Sequence, residues 1–273
     1  MNNRNNRNER AVMNLQGMTQ DEIKKHCPVA YQTKASNAVS ENYTFIPTSD
    51  IINDMDKLGW KVGQATSVRS RKNAGYQKHL IKFFNPSIEI NGDDGLMYPQ
   101  ILLTNSHDGK SSFKFEAGIF RLVCSNGLVI KSHDFGSFNI RHMGYSFEEL
   151  QTNIKEFVDG LPAIVARMNL FITKVMSENE MKAFAQQAID ARFGGAKVTG
   201  IELEALLAIE RNEDDGNTLW KVFNRVQEKI VSGSFTYVNE DGRLRKARPI
   251  KNFQQDMALN GQLWEIAEQF VAA

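Results

Sequence analysis

The chain changes its hydrophobic periodicity near its middle. Between Trp60 and Arg141, short apolar stretches alternate with polar positions, as in Lys114–Arg121, and Gly, Asn, Asp or Pro residues separate them. This alternation is typical of strands joined by short turns. From Ser146 onward, apolar residues recur roughly every 3.6 positions, as on amphipathic helices. The sequence therefore predicts an α+β fold, with an antiparallel β-sheet in the N-terminal half and a helical C-terminal lobe.

Start and stop signals predict where the helices lie. Thr48 or Ser49 is expected to cap a helix with Ile51, Ile52, Met55 and Leu58 on one face, and Gly59 is expected to end it. Three pairs have the Ser/Thr-x-x-Glu spacing of a capping box, Ser146–Glu149, Ser177–Glu180 and Thr199–Glu202. Pro162 suits the first turn of a further helix, and Gly194 and Gly195 suit a helix end.

These patterns divide the chain into three predicted segments. Residues 1–42 carry few large apolar side chains, so we expect a flexible or extended arm with at most one short helix near Thr19–His26. Residues 43–145 form the predicted sheet lobe. Residues 146–273 form the predicted helical lobe, which includes a β-hairpin near 234–250.

Composition narrows the class of protein. Hydrophobic residues make up 41% of the 273 positions and charged residues 24%, as in ordinary globular chains. No apolar run approaches the roughly 18 residues of a membrane span, and the N-terminus is rich in Asn and Arg, so we expect a cytoplasmic protein without membrane contact. Cys27 and Cys124 are too few for a disulfide scaffold, and we expect both to be reduced and structural.

The formal net charge of +1 means that affinity for nucleic acid requires a local basic patch. One candidate lies between Asp56 and Glu89, where the chain has no acidic residue. That stretch carries Lys57, Lys61, Arg69, Arg71, Lys72, Lys78 and Lys82, interleaved with Trp60, Tyr76, Phe83 and Phe84. Cations suit phosphates, and aromatic rings stack on unpaired bases for roughly 1–3 kcal/mol each. The alternative is a solvated sheet edge, protected by lysines, whose rings face the core.

A second basic run follows the predicted strand that carries Phe235 and Tyr237. It comprises Arg243, Arg245, Lys246, Arg248 and Lys251. A hairpin with a cationic return strand can contact a phosphate backbone, as can the N-terminal Arg4, Arg7 and Arg10. We interpret the run instead as a solvated loop that the acidic stretch Glu210–Asp215 neutralises in three dimensions.

A third set of residues suggests an enzyme. His107 and Asp108 lie in one predicted turn, and His133 and Asp134 follow soon after, so together they could hold a divalent metal ion that activates water. Against this, adjacent side chains on a tight turn generally point apart, and Asp108-Gly109 is a common turn dipeptide.

Nucleophilic or nucleotide chemistry has little support. Cys124 would need His107 or His133 as its base, but it follows the apolar segment FRLV, so an inert buried thiol is the better interpretation. The chain lacks the phosphate-loop, dinucleotide-binding and HExxH motifs. We therefore expect no cofactor, no metal and no catalytic residue.

Long segments of the chain resemble the domain-of-unknown-function 932 family, DUF932, which includes the UPF0380 proteins of phages, prophages and plasmids. The resemblance rests on YTFIPTSDIINDMDKLGW, YQKHLIKF, LLTNSHDGKSSFKFEAGIFRLVCSNGLVI, IRHMGYSFEEL, DDGNTLWKVFNRVQEKIVSG and ARPIKNFQQDMALNGQLWEIAEQF. It implies a mobile-element protein of DNA metabolism inside a bacterial cell. The order of elements is also loosely similar to Rad52-type single-strand annealing proteins, although the TNSHDGK and CSNG turns have no counterpart there.

The leading hypothesis is a non-catalytic binder of single-stranded nucleic acid, acting in annealing or recombination, with a homo-oligomer as one form. Trp60 and Tyr76 would stack on bases, and phosphates would be bound by Lys61, Arg69, Arg71, Lys72, Lys78, Lys82, Arg121 and Arg141. One alternative is a metal-dependent enzyme acting on nucleic acid through His107, Asp108, His133 and Asp134. The other is an interaction protein that neutralises a host defence by binding a host protein.

Overall fold

A computed structural model describes residues 14, 16–39, 43–68, 74–92, 95–111, 113–121, 127–129, 146–194, 196 and 198–272. The chain forms two compact units. The first comprises Met1–Gly127 with Gly136–Val158, and the second comprises Leu128–Phe135 with Asp159–Ala273.

The first unit is built on one β-sheet. The described strands of this sheet are β1 Lys61–Ser67, β2 His79–Phe84, β3 Ile90–Gly92, β4 Gly95–Asn105, β5 Lys114–Arg121 and β6 Gly127–Val129, the last of which continues past the unit boundary at Gly127. They lie in the order β1-β2-β4-β5-β6, and β3 pairs with β4 beside this path. The β1–β2, β2–β4, β3–β4 and β4–β5 pairs are all antiparallel. The predicted antiparallel sheet is thereby confirmed, whereas β3 escaped prediction because three residues are too few to show an alternation.

Short helices precede the sheet in the chain. They are α1 Gln20–His26, a 3₁₀ helix Pro28–Tyr31 and α2 Thr48–Lys57. Ile51, Ile52 and Met55 of α2 are buried, as their spacing predicts. Thr48 does not cap α2, because Pro47 occupies the cap position and no side chain bonds there. The Thr48 hydroxyl instead belongs to a buried cluster described below.

The helix α3, Phe147–Thr173, runs through Pro162 without a break. The prediction that Pro162 begins a separate helix is therefore wrong. Proline removes one backbone donor at a cost of roughly 3 kcal/mol inside a helix. Leu161, Ile164 and Met168 are all buried around it, and each buried apolar side chain contributes about 1.5–3 kcal/mol. Burial of the continuous apolar stripe therefore outweighs the lost hydrogen bond.

The described part of the second unit contains helices and a β-hairpin, and the helices confirm the helical character predicted for the C-terminal half. The further elements are α4 Glu178–Phe193, α5 Leu203–Leu207, a 3₁₀ helix Asn212–Asp214, α6 Leu219–Ser232, β7 Thr236–Val238, β8 Leu244–Lys246 and α7 Phe253–Ala272. Strands β7 and β8 are antiparallel. Phe184, Phe223 and Trp264 are among the largest fully buried side chains of this unit.

The capping predictions have mixed outcomes. Ser177 and Glu180 form a complete capping box, and Gly194 ends α4 in the left-handed conformation with φ of 62°. Ser146 accepts a hydrogen bond from the Glu149 amide at 3.1 Å. Thr199 does not cap a helix, because its backbone pairs with Val238 of β7 and α5 begins only at Leu203. Across the described residues, no helix has the length and apolar character needed to cross a membrane.

Candidate nucleic-acid interface

The first basic stretch is only partly described. Arg69, Arg71, Lys72 and Arg141 lie outside the described residues, and Arg121 is described only as the last backbone position of β5. The structure describes the side chains of the other five predicted contact residues, which are Trp60, Lys61, Tyr76, Lys78 and Lys82. Their exposure and their ion pairs determine how far this stretch can bind a polyanion.

Two cations of this stretch are neutralised by the helix that precedes it. The Lys57 ammonium lies 2.7 Å from Asp54 Oδ1, and the Lys61 ammonium lies 2.5 Å from Asp56 Oδ1. Lys57 also lies 5.3 Å from the ring centroid of Phe147. The basic patch expected from the acid-free stretch is therefore compensated at Lys57 and Lys61. The sequence shows an acid-free run, but α2 ends just before it and places its carboxylates alongside.

Trp60 cannot stack on a base in this conformation. Its side chain is only 1% exposed, and its ring packs against Phe157 with a centroid separation of 5.8 Å. The remaining residues, Tyr76, Lys78 and Lys82, are half-buried. Burial lowers the pKa of Lys78, and the nearby Glu116 partly offsets that effect. In the described part of the stretch, Trp60 thus belongs to the core, Lys57 and Lys61 are ion-paired, and the remaining side chains are only partly exposed.

The histidines lie in a buried hydrogen-bond cluster. His79 and His107 are fully buried, and their ring centroids are 5.2 Å apart. The Thr48 hydroxyl lies 2.8 Å from His79 Nε2 and 3.4 Å from His107 Nε2, and it accepts from Asn105 Nδ2 at 3.0 Å. Thr48 therefore joins α2 to the ends of β2 and β4.

The geometry of the cluster fixes the His79 tautomer. His79 Nδ1 lies 3.2 Å from the Gln77 carbonyl oxygen, which can only accept, so Nδ1 carries the proton. His79 Nε2 then accepts from Thr48. Burial, together with the neighbouring His107, lowers the pKa of His79 to about 3. His79 is therefore a neutral structural group near pH 7.

Of the four residues of the alternative metal site, only His107 and Asp108 are described, and their side chains contact different partners. Asp108 is part of the same turn, but its Oδ1 accepts from the Lys110 amide at 3.1 Å, whereas the His107 ring lies against Phe45 and His79. His133 and Asp134 lie outside the described residues. Among the residues that are described, no group of three or more His, Cys, Asp or Glu side chains has the arrangement of a metal site.

The cysteines contribute no described nucleophile. Cys27 is fully buried and free, and burial raises the pKa of its thiol to about 12, which confirms the structural role expected of it. Cys124 lies outside the described residues.

The second basic run borders a concave site in the second unit. This site, which we call the hairpin groove, has a volume of about 820 Å³, within the range of roughly 300–1,000 Å³ typical of ligand pockets. It is lined by Arg192, Phe193, Tyr237, Leu244, Arg245, Lys246, Ala247, Arg248 and Pro249. Four of these nine residues are cationic and none is acidic.

The acidic stretch does not neutralise the hairpin groove. Glu210 pairs with Lys229 at 3.5 Å, and Asp214 lies 3.8 Å from Arg211, which also forms a bidentate pair with Glu228. By contrast, Arg245, Lys246 and Arg248 are exposed and form no ion pair with any described residue. The interpretation of this run as a neutralised loop is therefore wrong, because the acidic stretch pairs with cations next to it and on α6.

Aromatic rings stand beside these cations. The rings of Phe193 and Tyr237 are half-buried, with centroids 4.7 Å apart and an interplanar angle of 54°. Phe235 is only 7% exposed, and its ring packs against the ring of Phe193 with a centroid separation of 6.3 Å. Leu244, by contrast, is 70% exposed. The hairpin groove thus combines cations with partly exposed aromatic rings. The sequence predicted this combination for the first basic stretch instead.

Backbone contacts fix the position of the basic return strand. The Ala247 amide donates to the Phe235 carbonyl at 2.9 Å, and the Ile250 amide donates to the Val231 carbonyl at 3.0 Å. The turn that joins β7 to β8 is closed by the Gly242 amide, which donates to the Asn239 carbonyl at 2.9 Å. The cations following β8 are therefore carried on a backbone that packs against the end of α6.

Arg192 is the residue of this site that sequence reasoning missed. Its Nη2 donates to the Arg248 carbonyl at 2.6 Å, while its buried Nε has no hydrogen-bond partner among the described residues. Burial lowers its pKa, and the neighbouring Tyr237 raises it. Arg192 and Phe193 lie more than forty positions before the hairpin, so only the fold brings them to it. The one local feature that could have indicated this site is the Arg-Phe pair in the last turn of α4, just before Gly194.

Comparison with known proteins places these residues in a family. Residues 35–264 match the model of the domain of unknown function DUF932. The chain belongs to the DUF932 family. The matched range covers the described sheet strands and the whole hairpin groove.

Two relatives of this DUF932 protein come from Escherichia coli strain K12. They are the UPF0380 proteins YfjQ and YafZ, each 28% identical over 253 residues, which is 92% of this chain and 90% of the relative. The resemblance to the DUF932 and UPF0380 proteins is thereby confirmed. No solved structure matches the chain significantly. The family description assigns no activity.

Proposed function

We propose that this DUF932 protein binds single-stranded nucleic acid through the hairpin groove, without catalysing a reaction. The observation that carries the proposal is the set of exposed cations Arg245, Lys246 and Arg248, which form no ion pair with a described residue and lie beside Phe193 and Tyr237. Cations and stacking rings in one groove are the usual means of binding unpaired nucleotides.

The chemistry of the groove favours single strands over duplexes. A base within a duplex is already stacked between its neighbours, so it reaches an aromatic ring only after unpairing. An unpaired base can lie against Tyr237 directly, for roughly 1–3 kcal/mol. The described lining residues include no carboxylate that could accept hydrogen bonds from base edges, so we expect little sequence preference.

The binding should depend strongly on salt. The net charge of the chain is +1, so long-range attraction by the whole molecule is weak and affinity must come from local contacts. If all four cations of the groove meet phosphates, the logarithm of the affinity should fall with the logarithm of salt concentration at a slope of about −2.8, from ~0.7 per contact.

Fluorescence anisotropy of a labelled thymidine oligonucleotide tests the proposal. The double variant Arg245→Glu/Lys246→Glu should weaken binding at least tenfold. A matched control is Lys25→Glu/Lys155→Glu, which makes the same charge change at two exposed lysines of the first unit and should leave the affinity within twofold. Absence of binding by the wild-type protein at micromolar concentration and low salt would refute the proposal, as would equal losses in both double variants.

The proposal includes a role in annealing or recombination, in the mobile-element setting that the family resemblance implies. Annealing requires only that two strands be held with their bases accessible, so it needs no catalytic group. A strand-annealing assay with complementary oligonucleotides should show acceleration by the wild-type protein and none by Arg245→Glu/Lys246→Glu. Light scattering with and without an oligonucleotide would show whether the active form is a homo-oligomer.

A further inference from the structure

Arg192 differs from the other three cations of the hairpin groove. Arg245, Lys246 and Arg248 are exposed, whereas Arg192 is half-buried and its guanidinium is oriented by the bond from Nη2 to the Arg248 carbonyl. Exposed side chains lose rotamer freedom when they bind, which weakens their binding. Arg192 is already ordered, so it loses little, and it can contact a phosphate at a defined position.

The charge of Arg192 is poorly compensated where it lies. No described carboxylate pairs with it, and burial lowers its pKa. Among the described residues the buried Nε atom has no acceptor, and a buried donor without an acceptor generally destabilises a fold. A cation that has lost part of its hydration attracts an anion more strongly than a fully solvated one, because the local dielectric constant is lower.

Tyr237 lies beside this cation. Its hydroxyl influences the Arg192 pKa, and its ring contacts Phe193, the next residue in the chain. Phe193 in turn is anchored on the buried Phe235. A ring that can stack and an oriented guanidinium therefore line the same groove, one carried on β7 and the other on α4.

We infer that Arg192 and Tyr237 form a subsite for a single nucleotide, in which Arg192 binds the phosphate and Tyr237 stacks on the base. This inference deepens the proposed function and rests on it. The exposed cations Arg245 and Lys246 then attract the rest of the strand without defining its position. The smallest ligand with both features is a nucleoside monophosphate.

Protection of Arg192 from phenylglyoxal, measured by peptide mass spectrometry on the full chain, tests the subsite. Thymidine 5′-monophosphate should protect Arg192 at a concentration at least tenfold below that of inorganic phosphate, and thymidine alone should not protect it. Arg243, which is exposed and does not line the groove, is the internal reference and should react unchanged.

Two variants separate the subsite from a purely structural Arg192. Tyr237→Ala should remove the advantage of the monophosphate over inorganic phosphate, whereas Lys246→Ala should preserve it. Equal protection by the monophosphate and phosphate in the wild-type protein would overturn the inference. So would an Arg192 that fails to react at all, since a guanidinium closed to the reagent is closed to a phosphate.

Failure of the subsite and failure of the proposed function give different results. If the oligonucleotide binds but the monophosphate shows no advantage, the subsite is wrong and the function stands. If the monophosphate is selected but the oligonucleotide does not bind, the groove recognises free nucleotides and the proposed function is wrong.

Discussion

Gly233 lies against the backbone of Arg248, so closely that a Cβ atom on it would come within 2.7 Å of the Arg248 carbonyl carbon. It would also come within 2.8 Å of the Ala247 carbonyl carbon and oxygen. Gly233 ends α6 with φ of 73°, a conformation that side chains disfavour. The basic side of the hairpin groove therefore depends on one position without a side chain.

Replacing Gly233 should damage both stability and binding. We expect Gly233→Ala to lower the free energy of unfolding by about 3 kcal/mol, from left-handed strain and displacement of the return strand. Urea unfolding measures the loss, and oligonucleotide anisotropy should show weaker binding by the folded protein.

Gly242 is the matched control for this prediction. It has φ of 72°, but nothing lies within 4 Å of an added Cβ. Gly242→Ala should therefore cost only the left-handed strain, about 1–2 kcal/mol. Equal losses in the two variants would show that the close approach at Arg248 does not matter.

The stability of the protein should fall in acid because of His79. Its pKa is about 3 in the folded protein and near 6.5 when exposed, so between these values the unfolded chain binds the extra proton. Stability from this group is complete above pH 6.5 and is lost as the pH falls toward 3, with a slope approaching about 1.4 kcal/mol per pH unit.

Urea unfolding across that pH window measures the slope. His79→Gln should flatten it. An unchanged slope in the His79 variant would assign the acid sensitivity to other groups.

Thr48 should stabilise the folded protein mainly through its hydroxyl group. Thr48→Val keeps the volume but removes the donor to His79 and the acceptor for Asn105, so we expect a loss of about 2–3 kcal/mol. Thr48→Ser keeps the hydroxyl and should lose under half as much. Urea unfolding of both variants gives the comparison, and similar losses would mean that packing of the methyl group dominates.

Trp60 should matter for folding and not for binding. Its ring is buried against Phe157, so Trp60→Ala should lower the free energy of unfolding by about 3–5 kcal/mol. At temperatures where the variant remains folded, its affinity for an oligonucleotide should equal that of the wild type. A large loss of affinity in the folded variant would show that Trp60 does take part in binding.

The sequence predicted those features that depend on neighbouring residues. Periodicity located the sheet and the helices, and the Ser177–Glu180 spacing gave a real capping box, because these signals act over a few positions. The same locality explains the errors. Thr48 has the residue type of a cap, but its hydroxyl bonds His79, which is 31 positions away.

The candidate site was harder to predict because charge compensation depends on which side chains are close in the folded protein, and these can be far apart in the sequence. Lys61 appears unpaired only until α2 places Asp56 beside it. The second basic run appears neutralised by Glu210–Asp215 until that stretch is seen to pair with Arg211 and Lys229. Arg192 joins the hairpin through a contact 56 positions away, which no local pattern contains.

The backbone pairing of Thr199 with Val238 has a consequence for association between molecules. Thr199 lies beside β7 on the side away from β8, so the chain itself occupies both flanks of β7 there. At the level of Val238, a strand from another copy could add only beside β8, which carries Arg245 and Lys246. Like charges on two such edges repel, so the side chains proposed to attract phosphates would also keep neighbouring hairpins from joining into a shared ladder.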